Sequence, residues 1–187
     1  MKVKLSFIKN KSFFIPAIVI VVILIVYILF FKPNPLIRLN ISSIRAEKNE
    51  SALSIQAPSE VGGVGRKFIV KINVDTMGNS INAVQSYLKF DPKSLQISTT
   101  STTNSFCKFY PENNYSNTDG IVKLSCGTPY PGFRGTDTIQ EIEFISKAIN
   151  TTNIYLNDQS MVLANDGKGT NLLRQFPKET IKIKAGI

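Results

Sequence analysis

The chain has 187 residues, 22 Lys and Arg against 13 Asp and Glu for a formal charge of +9, two cysteines and no histidine. Without imidazole there is no Ser-His or Cys-His catalytic pair and no histidine metal site. Five of the basic residues fall in positions 1–32, where no acid occurs, so beyond them 17 bases face 13 acids, and with no basic block interleaved with aromatics a nucleic-acid partner is not expected.

Residues 1–12 form a short basic tail carrying Lys2, Lys4, Lys9 and Lys11. Behind it, Phe13 to Phe31 (FFIPAIVIVVILIVYILFF) runs 19 residues without a charge. As a helix it spans roughly 28 Å, enough to cross a bilayer, and predicts a single N-terminal transmembrane helix. A cleavable signal peptide is the alternative. It would have an apolar core of about 7 to 15 residues and a small-residue cleavage site, whereas this run ends in Phe30, Phe31, Lys32, Pro33. Basic residues near the two ends number four and four, so the positive-inside rule is balanced. The short basic tail favours a signal anchor with its N-terminus in the cytoplasm, which makes a single-pass protein of the cell membrane with an extracellular C-terminal domain.

Residues 32–51 (KPNPLIRLNISSIRAEKNES) read as a stalk, because Pro33 and Pro35 stop the helix at once. From residue 52 to 184 the period becomes two. Phe68, Val70, Ile72 and Val74 alternate with Ile69, Lys71 and Asn73. Val84, Leu88 and Phe90, with Ser86 the weak member of the row, alternate with Ala83, Gln85, Tyr87 and Lys89. The rhythm recurs at Leu95 and Ile97, Ile142 and Phe144, Ile154 and Leu156, Met161 and Leu163, and Ile181 and Ile183. Turn signals separate these runs: Gly62-Gly63, Met77-Gly78-Asn79, Asp91-Pro92, Asp119-Gly120, Pro131-Gly132 and Asp166-Gly167. Half-buried strands with no helical pattern between them predict an all-β fold, an antiparallel jelly-roll β-sandwich of about nine strands.

Cys107 and Cys126 bracket a hairpin pattern, SFCKFY, an Asn-rich loop, then IVKLSC. Facing positions in an antiparallel pair have a constant sum, so a facing pair at 107 and 126 puts the turn near Ser116 and Asn117. A disulfide between facing strands fits an exported domain, and two free buried thiols are the other reading. No metal site or cofactor is expected; if a cation binds, Asp158, Asn165 and Asp166 are the oxygens to examine first, although Asn165-Asp166-Gly167 reads more simply as a tight turn. Glu141 and Glu143 lie two apart on one strand face, in the manner of a carboxylate pair, yet they alternate with Ile142 and Phe144 as the solvated side of a strand does. No catalytic residues are assigned and the chain is read as a non-enzyme.

Val61 to Lys71 (VGGVGRKFIVK), Ile81 to Leu95 (INAVQSYLKFDPKSL), Gly132 to Phe144 with its Gly-Phe-Arg-Gly opening, and Met161 to Leu173 (MVLANDGKGTNLL) together resemble a cohesin domain over residues 52–184. The resemblance implies a nine-stranded jelly roll, related in fold to carbohydrate-binding modules, that binds the dockerin module of another protein through a flat sheet face. On that face the strand before the Phe-Asp-Pro motif presents Asn and Asp in well-known cohesins. The corresponding positions here are Ala83 and Gln85.

Read from the residues themselves, Ala83, Gln85, Tyr87 and Lys89 point away from the core and offer a contact patch, with Tyr87 supplying large area at low entropic cost; an ordinary solvated sheet face is the other reading. The alternative is a carbohydrate-binding module with a polysaccharide ligand; sugar platforms need exposed aromatics, and with no Trp the candidates are Tyr110, Tyr115, Tyr130 and Phe133, placed on loops. A third reading is a structural subunit that assembles through a sheet edge.

Overall fold

The computed structural model describes residues 50–186 together with Tyr27. The tail at 1–12, the expected membrane helix at 13–31 apart from Tyr27, and all but the end of the stalk lie outside the described residues, among which no helix is long and apolar enough to cross a membrane.

Eleven strands make up the domain. They are β1 (Ala52–Gln56), β2 (Glu60–Gly62), β3 (Lys67–Asp75), β4 (Ile81–Phe90), β5 (Leu95–Ser101), β6 (Phe109–Ser116), β7 (Ile121–Gly127), β8 (Thr136–Ser146), β9 (Thr151–Leu156), β10 (Met161–Ala164) and β11 (Lys178–Lys184). Four form a small sheet in the order β1-β3-β8-β5; the large sheet runs β2-β11-β9-β4-β7-β6, with β10 added on β4. Every pairing is antiparallel except β2 on β11. The fold is an all-β sandwich. The expected nine strands become eleven because β1 and β2 are also ordered, although Leu53 and Ile55, both buried, already carry the alternating pattern in β1.

Alternation decides which faces meet. Val70, Ile72 and Val74 of β3 and Ile142 and Phe144 of β8 point from the small sheet onto Leu88, Phe90, Leu124 and Ile154 of the large one, in a single buried cluster. Phe144 is fully buried, with its ring edge-to-face on Phe90 at 5.2 Å between centroids and near-parallel to Phe68 at 5.8 Å. Burying each such side chain stabilises the fold by about 1.5–3 kcal/mol. Ser86, the weak member of the β4 row, is buried in that row, and among the described residues its hydroxyl has no hydrogen-bond partner.

One phase differs from expectation. In β10 it is Val162 that is fully buried, while Met161 and Leu163, read as the inward pair, are only partly covered and lie on the outer side. Four residues with three consecutive apolar side chains do not define a phase by themselves, and pairing with β4 decides it.

The two free edges on one side of the sandwich are β5 and β6. Asn117 ties them: its side-chain oxygen accepts the Ile97 N–H at 2.7 Å and its NH₂ donates to the Ile97 carbonyl at 3.0 Å, so the side chain stands in for a ladder residue. Pro111 removes one donor from the β6 edge, which suits an edge strand.

The cysteines form a disulfide, Cys107–Cys126. The hairpin around it differs from the expected register: Ser116 pairs with Ile121, so the turn falls over Asn117 to Gly120, later than Ser116 and Asn117. Cys107 precedes β6, and a register shift between Phe109 and Glu112 absorbs the difference. Gly120 closes the turn at φ 62, where a Cβ would stand 2.9 Å from Pro92 Cδ and closer still to the Phe90 carbonyl.

Candidate functional site

The outer face of the large sheet collects the residues that alternation points away from the core. Paired positions share a face, so the register assembles rows across β6, β7, β4 and the strands beyond. One row is Gly127, Ala83 and Leu163; the next is Glu112, Ser125, Gln85 and Met161. A third is Asn114, Lys123 and Tyr87, and a fourth is Ser116, Ile121, Lys89, Tyr155 and Lys178. Ala83, Gln85, Tyr87 and Lys89 therefore lie on one face, half-exposed, while Val84, Ser86, Leu88 and Phe90 are buried beneath them.

The middle of this face is held by polar contacts. Tyr87 donates its hydroxyl to Glu112 Oε2 at 2.6 Å, and Lys123 Nζ lies 3.8 Å from Glu112 Oε1 and 5.3 Å from the Tyr87 ring centroid. The bond to the Glu112 carboxylate, with some burial, raises the Tyr87 pKa above its ordinary value. Gln85 donates to the Gln159 carbonyl at 2.7 Å and accepts from Ser125 Oγ at 3.4 Å. Where β4 passes from β10 to β9, the loop before β10 serves its edge: Ser160 Oγ accepts the Tyr87 N–H, and the Asn157 N–H donates to the Tyr87 carbonyl. The side chains of Tyr87 and Gln85 are thus fixed in place.

Next to this network the face sinks into a shallow apolar cleft of about 110 Å³. Phe109 and Pro111 of β6 form one wall, Met161 and Leu163 of β10 the other, and Ala83 lies between them. Sequence reading overlooked these walls. The proline inside a strand was the available signal for an edge at β6, whereas the phase of β10 carried none. A larger cleft of about 320 Å³ lies elsewhere, between the start of β1 and residues 173–177, where Arg174 approaches Glu50 at 4.0 Å. It is assembled from irregular chain rather than from a sheet face.

The four aromatics considered for sugar binding do not form a row. Tyr110 and Tyr115 lie within β6, not on loops. Tyr110 is half-buried, its one hydroxyl hydrogen shared between the carbonyls of Thr102 and Cys107. Phe133 stacks on Phe106 with centroids 4.2 Å apart. Tyr130 is 88% exposed beyond the Gly127 end of β7, whereas Tyr115 pairs with Val122, about 17 Å away along the strand.

The oxygens considered for a cation do not converge. Asp166 accepts from the Lys168 N–H and the Thr170 hydroxyl within its own turn, which lowers its pKa, Thr170 being the larger cause. Asn165 donates to the Pro131 carbonyl, and Asp158 lies on the separate loop before β10. Among the described residues no group of three or more His, Cys, Asp or Glu is placed to hold a metal. Glu141 and Glu143 occupy the solvated face of the small sheet, paired with Lys71 at 2.7 Å and Lys67 at 2.8 Å.

No protein-family model matches the chain, and no curated protein matches it in sequence. Solved structures do resemble it. The cohesin module of a family 33 glycoside hydrolase from Clostridium perfringens superposes with TM-score 0.60 at 12% identity, over 74% of this chain and 99% of that one. The cohesin of a type I cohesin–dockerin complex from Clostridium thermocellum gives 0.60 at 11%, over 74% and 97%. The seventh ScaB type I cohesin from Pseudobacteroides cellulosolvens gives 0.57 at 18%, over 72% and 94%. The described domain has the cohesin fold.

Proposed function

We propose that the chain is a non-catalytic protein-binding module that receives a dockerin-like module on the outer face of its large sheet. In this reading residues 13–31 tether the domain to the cell membrane in a single pass, with residues 52–184 outside. The observation that carries the proposal is the ordered outer face itself, where Tyr87, Gln85 and Lys123 are held in hydrogen bonds and an ion pair beside an open apolar cleft. Rigid aromatic area beside satisfied polar groups is the composition of a protein interface. Support also comes from the similar structures, several of which were solved as cohesin–dockerin complexes. The carbohydrate alternative gains nothing from the scattered positions of Tyr110, Tyr115, Tyr130 and Phe133.

The test is capture by the full chain of a panel of dockerin modules, run beside a polysaccharide screen. Binding of a dockerin that is lost on Tyr87→Ala or Lys89→Glu supports the proposal. Binding to glycans alone overturns it. The tether is checked on intact cells with a membrane-impermeant thiol reagent: labelling of Cys107 and Cys126 only after reduction places the domain outside, and labelling that needs lysis places it inside.

A further inference from the structure

We infer that the face described above takes a helix with one aliphatic side chain seated between Phe109 and Met161, and with a carboxylate two to four helical turns further along, toward Lys89. The inference rests on the proposed binding role of this face and specifies the chemistry of its partner.

The shape comes from residue size. In the row Gly127, Ala83, Leu163, the two smallest side chains of the face stand side by side, and the larger residues around them leave a depression of about 110 Å³, the bulk of roughly one aliphatic side chain. Its lining includes no charged residue. Gln85, the most polar side chain there, is already bonded to Gln159 and Ser125. A polar occupant would lose hydration and find few partners, whereas an aliphatic one gains from burial.

Charge sets the other end. Lys123 lies two rows from the cleft's Ala83 row and Lys89 and Lys178 share the row beyond it, and Lys89 and Lys178 have no ion-pair partner among the described residues. The one carboxylate within these rows, Glu112, already accepts from Tyr87 and faces Lys123. At the rim, Asp119 accepts from Ser116, and Asp158 lies on the loop before β10. A partner carboxylate therefore meets unpaired lysine at the Lys89 end and none in the cleft.

From Ala83 to Tyr87 and Lys89 is four to six residues along β4, about 13–20 Å at the rise of a strand. That corresponds to about 9–13 residues of helix at 1.5 Å each. A helix suits the site better than an added strand, because the ladder of β4 is occupied by β7 on one side and by β9, β10 and their loop on the other.

The test uses the full chain labelled with ¹³C at its methionine methyls. The chain has three methionines, Met1, Met77 and Met161, so Met161 reports on the cleft and Met77 serves as a control. The probe is a capped helical peptide carrying Leu near one end and Glu about ten residues on. The expected result is a saturable shift of Met161 with Met77 unmoved, at least tenfold weaker for the Leu→Ser peptide, about threefold weaker for the Glu→Lys peptide, and absent in Ala83→Leu, which fills the cleft from a half-exposed position. A motionless Met161, or equal shifts with the Leu and Ser peptides, overturns the inference. A dockerin whose binding is lost on Lys89→Glu but unchanged in Ala83→Leu also overturns it while leaving the face as the binding surface. A Leu-dependent shift with no dockerin captured supports the aliphatic anchor and overturns the proposed partner.

Discussion

The ring of Phe109 lies over Gly127: a Cβ at residue 127 would stand 2.6 Å from Phe109 Cε2 and 3.1 Å from the Asn82 carbonyl. Gly127 is required here for space, since its backbone is not in the left-handed region. The ring covers the bare backbone of β7 and in the same position walls the apolar cleft. Gly127→Ala is expected to displace Phe109 and cost about 1 kcal/mol, the low end for overpacking because a half-exposed ring has room to turn. Urea unfolding measures the cost. A shift of the Met161 methyl resonance in the free protein registers the altered cleft.

Tyr87 and Glu112 predict a titration. The carboxylate acceptor raises the phenol pKa, so the neutral phenol is favoured by the fold. Stability from this bond is fully present below the ordinary tyrosine value near 10 and is lost as pH rises through the higher folded value. In a titration followed by tyrosinate absorbance, the Tyr87 phenol is expected to ionise late, and Glu112→Ala is expected to return it toward the ordinary range. An unchanged profile in that variant contradicts the assignment.

Asn117 predicts a specific loss at the sandwich edge. Its side chain satisfies both the N–H and the carbonyl of Ile97, whose side chain is 2% exposed. Asn117→Ala leaves both backbone groups without that partner and is expected to cost about 1–3 kcal/mol in urea unfolding. Asn117→Asp keeps an acceptor for the N–H and loses the donor, so it should fall between. Hydrogen exchange at the Ile97 amide should accelerate in the alanine variant.

The Cys107–Cys126 bridge closes a loop of sequence separation 19. By chain entropy such a bridge contributes about 3 kcal/mol. A Cys107→Ser, Cys126→Ser chain is expected to unfold at lower denaturant by that amount while keeping the sandwich, because the core cluster extends through strands remote from the hairpin. Since Cys126 also lines the cleft, the same variant should weaken binding at the outer face more than the stability loss alone explains.

Much of the fold was legible from residue order. In β3, β4, β8, β9 and β11 the long alternating runs placed Val70, Leu88, Phe144, Ile154 and Ile181 inside, where all five are fully buried. In short strands the pattern ran out. Val162 rather than its neighbours faces the core because pairing with β4 sets the phase, and three successive apolar residues are silent about it. Asn117 was equally hidden, since an Asn in a polar loop announces a turn and not a tie to a strand twenty residues back.

The candidate site divides along the same line. Period two is a local property of the chain, so the sequence by itself determined that Ala83, Gln85, Tyr87 and Lys89 share one side of a strand, and that no imidazole is present for catalysis or metal binding. Which residues stand beside them is a matter of pairing between strands far apart in sequence. Only the tertiary structure set Ala83 between Gly127 and Leu163, brought Glu112 to Tyr87, and left a cleft between Phe109 and Met161, because register is fixed by the burial of whole faces at once and not by any single strand.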